Sequence, residues 1–190
     1  MKTTVQYLHI ITCEGCVHMS NTNSEGRRKL NLKNVTDVIG KSFQNWRPGD
    51  FVIIESQTGT GKTYFVEMTL IKYSIADSIL YICNRKNLER QIKRDVLKIK
   101  KLKIPDTLDE LDKLTEIDNV TITTYQAIQS KILDDEYYEE SFAKNYRYYN
   151  YIILDECHYI LSDSSFNNTT RLAFNEFIRF IDMGPIKIFM

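Results

Sequence analysis

The chain predicts an α/β fold, a parallel sheet with helices on both faces. Three observations carry this. Short apolar runs alternate with longer segments whose apolar residues recur at helical spacing. The runs are the kind that parallel strands covered on both faces use. The sequences that look chemically distinctive follow such runs directly, as sites at the carboxyl ends of parallel strands do.

Taken in order, residues 1–33 read as an irregular N-terminal extension, with a polar, turn-like stretch MSNTNSEGRRK. NVTDVIGKSFQNW then spaces Val35, Val38, Ile39, Phe43 and Trp46 for a helix. RPGD is a turn, and FVIIE, Phe51 to Glu55, is a strand. SQTGTGKT follows it and leads into a helix reaching about Lys72. Ser78 to Cys83 is the next strand, and the following helix aligns Leu88, Ile92, Val96 and Ile99 on one face. DTLDELDKL makes a short acidic helix, Asn119 to Thr123 a strand, and YQAIQSKIL a helix. DDEYYEESFAKNYRYYN is a polar, Tyr-rich connection before the strand Tyr151 to Asp155. TRLAFNEFIRFID spaces Phe174, Phe177, Ile178 and Ile181 for burial on a helix, and Lys187 to Met190 is the last strand. That strand is expected between the strands Phe51 to Glu55 and Tyr151 to Asp155.

At 190 residues the chain suits one domain with a sizeable core. It has no run of about 18 apolar residues that could cross a membrane. The apolar patch Tyr7 to Ile11 is too short and broken for a secretory signal, so a cytoplasmic location is expected. Cys13, Cys16, Cys83 and Cys157 are scattered, which favours reduced thiols over a disulfide framework. Cys13 and Cys16 form C-x-x-C beside His9 and His18. Zinc usually takes two separated ligand pairs, and no second cysteine pair exists, so incidental thiols are favoured over zinc or redox chemistry. Net charge is zero, but Met1 to Ile104 holds 18 Lys/Arg against 9 Asp/Glu, and the remainder reverses this with 7 against 16. The asymmetry permits a basic face at Lys93 to Lys103, for which a solvated helix face is the favoured alternative.

Two short stretches carry chemistry. S-x-x-G-x-G-K-T runs from Ser56 to Thr63, covering Ser56, Gln57, Thr58, Gly59, Thr60, Gly61, Lys62 and Thr63. Gly59 and Gly61 free the backbone to bring N–H groups against phosphate oxygens. The helix that starts near Lys62 aims its donors at the same anion. Lys62 offers a positive charge to the β- and γ-phosphates, and the Thr63 hydroxyl can ligate Mg²⁺. The general pattern begins with Gly where this chain has Ser56. The second stretch, YIILDECHY, places Asp155 and Glu156 at a strand end. Asp155 suits the metal side of a nucleotide site, and Glu156 suits general-base work on an attacking water.

With these motifs the chain resembles the first RecA-like domain of superfamily 2 helicases of the DExH-box (DEAD/DEAH-box-like) kind. QTGTGKT looks like motif I of that family, and DECH, Asp155 to His158, looks like motif II. LYICNRKNLERQ is similar to motif Ia and VTITTYQAI to motif Ib. The resemblance covers roughly Val35 to Met190, which places a helicase ATP-binding domain at 34–190. It implies a P-loop NTPase fold, ATP and Mg²⁺ as ligands, and nucleic-acid-dependent ATP hydrolysis, with Lys62, Asp155 and Glu156 as catalytic residues. It carries backbone contacts to DNA or RNA onto Asn84, Arg85, Thr124 and Tyr125, and coupling between the two sites onto His158. It also implies that motif III and a second RecA-like domain with an arginine finger would follow PIKIFM, so that this chain alone turns ATP over very slowly.

Two departures stand beside the resemblance. A glutamine that reads adenine is usual in many such proteins, but Gln44 lies only fifteen residues before Gly59. Phe43 or Trp46 offers a stacking surface instead, with a core role for both as the favoured alternative. A nucleotide- or nucleic-acid-binding module without motor activity is the second functional expectation. A P-loop kinase fits less well, since it leaves DECH unexplained.

Overall fold

The computed structural model of the chain describes residues 5–9, 34–56, 59–134, 146–158, 175, 177–178, 181 and 184–190. Seven strands form one sheet: β1 (Val5–His9), β2 (Phe51–Glu55), β3 (Ile79–Cys83), β4 (Glu116–Ile117), β5 (Val120–Thr124), β6 (Tyr151–Leu154) and β7 (Ile186–Phe189). Their order across the sheet is β1-β2-β7-β6-β3-β5-β4. Every neighbouring pair is parallel except β4 with β5. The fold is therefore the expected α/β, RecA-like P-loop arrangement, with β7 between β2 and β6 as the sequence predicts.

Side chains alternate across the sheet, and helices cover both faces. On β3, Ile79, Tyr81 and Cys83 join one core with Val52 and Ile54 of β2 and Ile153 of β6. That core is closed by α1 (Val35–Ile39), by α2 (Lys62–Phe65) with the π-helical turn Val66–Ile71 that continues it, and by α3 (Lys86–Ile99). Leu80 and Ile82 point the other way, into a second core with Ile152, Leu154, Phe177 and Ile181. There α5 (Tyr125–Asp134) supplies Tyr125 and Ile128. Nearly all of these side chains are fully enclosed. Burial on this scale is the main favourable contribution to folding, at about 25 cal/mol per Å² of apolar surface.

Several expectations are corrected. The N-terminal extension is not irregular throughout: Val5–His9 pairs in parallel with β2 from Phe51 to Glu55 and so belongs to the sheet. The helix expected through Trp46 stops at Gly40, and a 3₁₀ turn, Ser42–Asn45, follows. The sheet is not wholly parallel, because β4 folds back on β5 after α4 (Leu108–Lys113). Strand bounds move by a residue at β3, β5, β6 and β7. Cys13, Cys16, His18 and the whole connection between α5 and residue 146 lie outside the described residues, as does most of the helix expected at 170–182.

Candidate nucleotide-binding site

The loop after β2 is built by its glycines. Gly59 has φ +83° and Gly61 φ +87°, a region costly for residues with a Cβ. A Cβ at Gly59 would meet nothing within 4 Å, and one at Gly61 would meet only Cβ of Tyr64, at 3.9 Å. Backbone conformation therefore demands these glycines, and the space beside them is open to a ligand. Gly61 caps α2, and its carbonyl accepts from the Phe65 N–H at 2.9 Å. Thr60 Oγ1 donates to Ser56 Oγ at 2.7 Å, so the serine that replaces the usual glycine braces the loop. The Thr60 carbonyl accepts from Val35 N–H at 3.1 Å, which ties α1 to the loop. Lys62 Nζ donates to the Ser56 carbonyl at 2.9 Å and so lies across the loop. Gln57 and Thr58 lie outside the described residues.

Asp155 follows β6, two strands from β2, at the same carboxyl end of the parallel strands. It is only 4% exposed. Its backbone N–H donates to Ile82 O at 2.9 Å, its carbonyl accepts from Tyr125 OH at 2.9 Å, and its Oδ2 accepts from Tyr81 OH at 2.6 Å. Burial pushes the Asp155 carboxyl above the usual carboxylate range, opposed by the Tyr81 hydrogen bond and the Lys62 charge. Glu156 turns the chain at φ +54°, uncommon for a side-chain-bearing residue. Its Oε2 is 3.1 Å from Nδ1 of His158, and both side chains are well exposed. Met190 steadies this turn: its carbonyl accepts from Cys157 N–H at 2.9 Å, and its N–H donates to Leu154 O at 3.0 Å.

The loop and the acidic turn fit a magnesium nucleotide. A lysine and helix N-terminal donors suit phosphate, and the Thr63 hydroxyl and Asp155 carboxylate are the hard oxygen donors Mg²⁺ takes. Among the described residues no three His, Cys, Asp or Glu converge as an all-protein metal cage.

The residues expected to meet nucleic acid divide. Cys83 is in register with Thr124, so Asn84, Arg85, Thr124 and Tyr125 come together at adjoining strand ends. Arg85 is exposed, and the half-buried Asn84 accepts from Gln126 Nε2 at 3.3 Å. Thr124 is buried, its Oγ1 accepting from Ala127 N–H at 3.2 Å as a cap to α5. Tyr125 corrects the expectation: it is 1% exposed, and its hydroxyl is engaged by Asp155, so its side chain braces the acidic turn rather than facing a ligand. Trp46 and Phe43 are also not stacking platforms. Their rings meet each other and Phe65 edge-on at centroid distances of 6.2–6.4 Å, and Trp46 is buried. Gln44 is exposed on the 3₁₀ turn.

The basic segment and the helix turn before it are paired in part with the acidic region and in part with carboxylates of α3 itself. Arg90 holds Asp112 through two hydrogen bonds, at 2.8 and 2.7 Å, and this keeps the Asp112 carboxyl down near about 2. Lys93 is fully buried, 2.5 Å from Glu89. Lys98 pairs with Asp95 and Lys100 with Asp118, each at 2.8 Å. A solvated helix face describes Lys98, whose side chain is 62% exposed, but not Lys93, which is fully buried, or Lys100, whose side chain is 10% exposed.

Sequence reading missed Tyr81. The signal was a tyrosine inside an otherwise aliphatic strand, ILYIC, because a buried tyrosine hydroxyl needs a polar partner.

A mostly parallel sheet with a glycine-bearing loop after one strand and a buried aspartate after another has the RecA-like α/β architecture. Residues 28–183 match the family described as type III restriction enzyme, res subunit, and this family match makes it a helicase-type ATP-binding domain. The chain belongs to that family, whose domain here is the N-terminal RecA-like domain of superfamily 2 helicases. A comparison with curated proteins returned no match. Among the described residues no helix is long and apolar enough to cross a membrane.

Proposed function

We propose that the chain binds Mg-ATP and hydrolyses it in response to nucleic acid, as the first motor domain of a DExH-type helicase or translocase. One observation carries this reading: a buried carboxylate, Asp155, sits at the same carboxyl end of the parallel strands as the glycine loop leading to Lys62. Residues 56–63 would cradle the phosphates, with Lys62 Nζ moving from the Ser56 carbonyl to the β- and γ-oxygens. Bound Mg²⁺, held by Thr63 and Asp155, would neutralise charge on those oxygens. Glu156 takes the proton of the attacking water, and His158, paired with it, transmits its position toward the nucleic-acid side. Arg85, Asn84 and the backbone beside Thr124 would contact a sugar-phosphate chain without reading sequence. The ATP-binding domain is proposed to include β1 as well as residues 34–190, because β1 extends the same sheet.

The test is ATP turnover with and without single-stranded DNA or RNA, in the wild type and in Glu156→Gln. Stimulation by nucleic acid that disappears in the variant supports the motor reading. Nucleotide binding without turnover under either condition would instead favour a binding module.

A further inference from the structure

Asp155 is fixed at three atoms by the two strands beyond it. Its N–H is held by Ile82 O of β3, its carbonyl by Tyr125 OH at the end of β5, and its Oδ2 by Tyr81 OH of β3. Both tyrosines are enclosed, Tyr81 at 0% and Tyr125 at 1% exposure, so water offers neither hydroxyl a substitute partner. The Tyr81 contact, 2.6 Å, has the length of a charge-assisted O–H···O⁻ bond. Tyr81 lies on β3 opposite Ile153 of the neighbouring β6, and Asp155 is the first residue after β6, so the register of these two strands brings the pair together.

We propose that Tyr81 is the positioning residue of the metal-binding carboxylate: its hydrogen bond to Oδ2 of Asp155 fixes the plane in which the carboxylate meets the cation. This rests on the reading above that Asp155 serves Mg²⁺. The hydrogen bond uses one lone pair of Oδ2 and fixes the plane of the carboxylate. A fixed carboxylate suits Mg²⁺, which demands near-octahedral geometry, more than Ca²⁺, whose coordination is flexible. Tyr81 is thereby a determinant of which divalent ion supports nucleotide binding. The same strand runs on to Asn84 and Arg85, so its register also sets the acidic turn against the proposed nucleic-acid edge.

The experiment is calorimetric ATP binding to the whole chain over a range of Mg²⁺ and Ca²⁺ concentrations, without reference to turnover. Tyr81→Phe is expected to leave metal-free ATP affinity unchanged. It should raise the Mg²⁺ concentration for half-maximal enhancement about tenfold, and narrow the preference for Mg²⁺ over Ca²⁺. Asp155→Asn should remove the enhancement, and Tyr81→Phe should add nothing on top of it. If Asp155→Asn removes the enhancement while Tyr81→Phe stays within about twofold of the wild type, the positioning role is wrong and the nucleotide site stands. If the wild type binds ATP identically with and without Mg²⁺, the functional reading itself fails, and this role fails with it. Should Tyr81→Phe not fold, 3-fluorotyrosine at position 81 keeps the volume and strengthens the donor. It should lower the half-maximal Mg²⁺ concentration and move its ¹⁹F resonance when Mg²⁺ and ATP are added; an unmoved resonance and unchanged half-point overturn the proposal.

Discussion

Lys62 and Lys93 both sit on helices that cover the same face of the sheet, yet their ammonium groups keep different company. Lys93 is fully buried, with Glu89 at 2.5 Å and the Asp112 carbonyl at 3.3 Å. Lys62 is half-buried and donates to a neutral carbonyl, that of Ser56. A buried ion pair is a closed arrangement, because separating it leaves an uncompensated charge in a low dielectric. A lysine on a neutral acceptor gives up much less when a phosphate arrives. The basic part of the sequence therefore divides by partner and not by density. Arg90 and Lys93 of α3 hold the acidic α4 region in place, whereas Lys62, at the start of α2, is placed to exchange its carbonyl partner for an anion.

The sharpest way to break this comparison is to remove each lysine in turn. Lys62→Ala should lower ATP turnover about 10²–10³-fold, the range for losing a preorganised charge at a developing anion. It should leave the thermal unfolding midpoint nearly unchanged. A midpoint that falls as steeply as turnover would mean that Lys62, too, is structural.

Lys93→Met should do the reverse. Leaving Glu89 buried without its partner costs about 3 kcal/mol, a drop of roughly 10 °C in the unfolding midpoint. Adding Glu89→Gln should restore most of that loss. If the single variant were as stable as the wild type, the buried Lys93–Glu89 pair would not be what fixes this part of α3.

Glu67 separates the two regions by pH. It lies on the π-helical turn that continues α2, and its carboxyl is raised from 4.5 to about 7, chiefly by burial and then by the Asp95 charge. Lys98 opposes the shift, and Asp155 adds to it. The folded state holds this proton more tightly than the unfolded chain does. Its stabilising contribution is therefore complete below pH 4.5 and is lost as pH rises toward 7. Solvent screening at this half-buried site limits the change to about 1 kcal/mol. Chemical denaturation at several pH values should show the slope, and Glu67→Gln should flatten it. A slope of opposite sign would mean that Glu67 is ionised in the fold.

How far the sequence reveals these two regions follows from what each depends on. β2, β3 and β6 are short apolar runs, so burial on both faces is written in their composition. The glycine loop is legible because its backbone admits few other residues. β1 is less visible: VQYLH mixes polar and apolar residues, and as an edge strand it pairs on one side only. β4 has two residues, too few for any periodicity. The Asp155–Tyr81 bond joins residues 74 positions apart, and the pairing of Arg90 with Asp112 crosses from one helix to the next. Such partners depend on which elements become neighbours, and a local pattern does not carry that. This is why the sequence reading found the carboxylate but not its tyrosine, and left the basic run open between ligand and solvent.

The smallest effect is expected at the exposed end of α3. Lys98 pairs with Asp95 at 2.8 Å, but its side chain is 62% exposed, and the two are three residues apart on one helix. Such a pair contributes only about 0.3–0.5 kcal/mol. Lys98→Ala should accordingly shift the unfolding midpoint by a degree or two at most, and the shift should vanish in high salt, where exposed charges are screened. Binding of single-stranded nucleic acid should keep the same salt slope in this variant, whereas Arg85→Ala should reduce it by about one released counterion. A reduced slope in Lys98→Ala would return the end of α3 to the nucleic-acid surface. The division between structural and ligand-facing cations would then have to be drawn within the helix, between the enclosed Lys93 and the exposed Lys98.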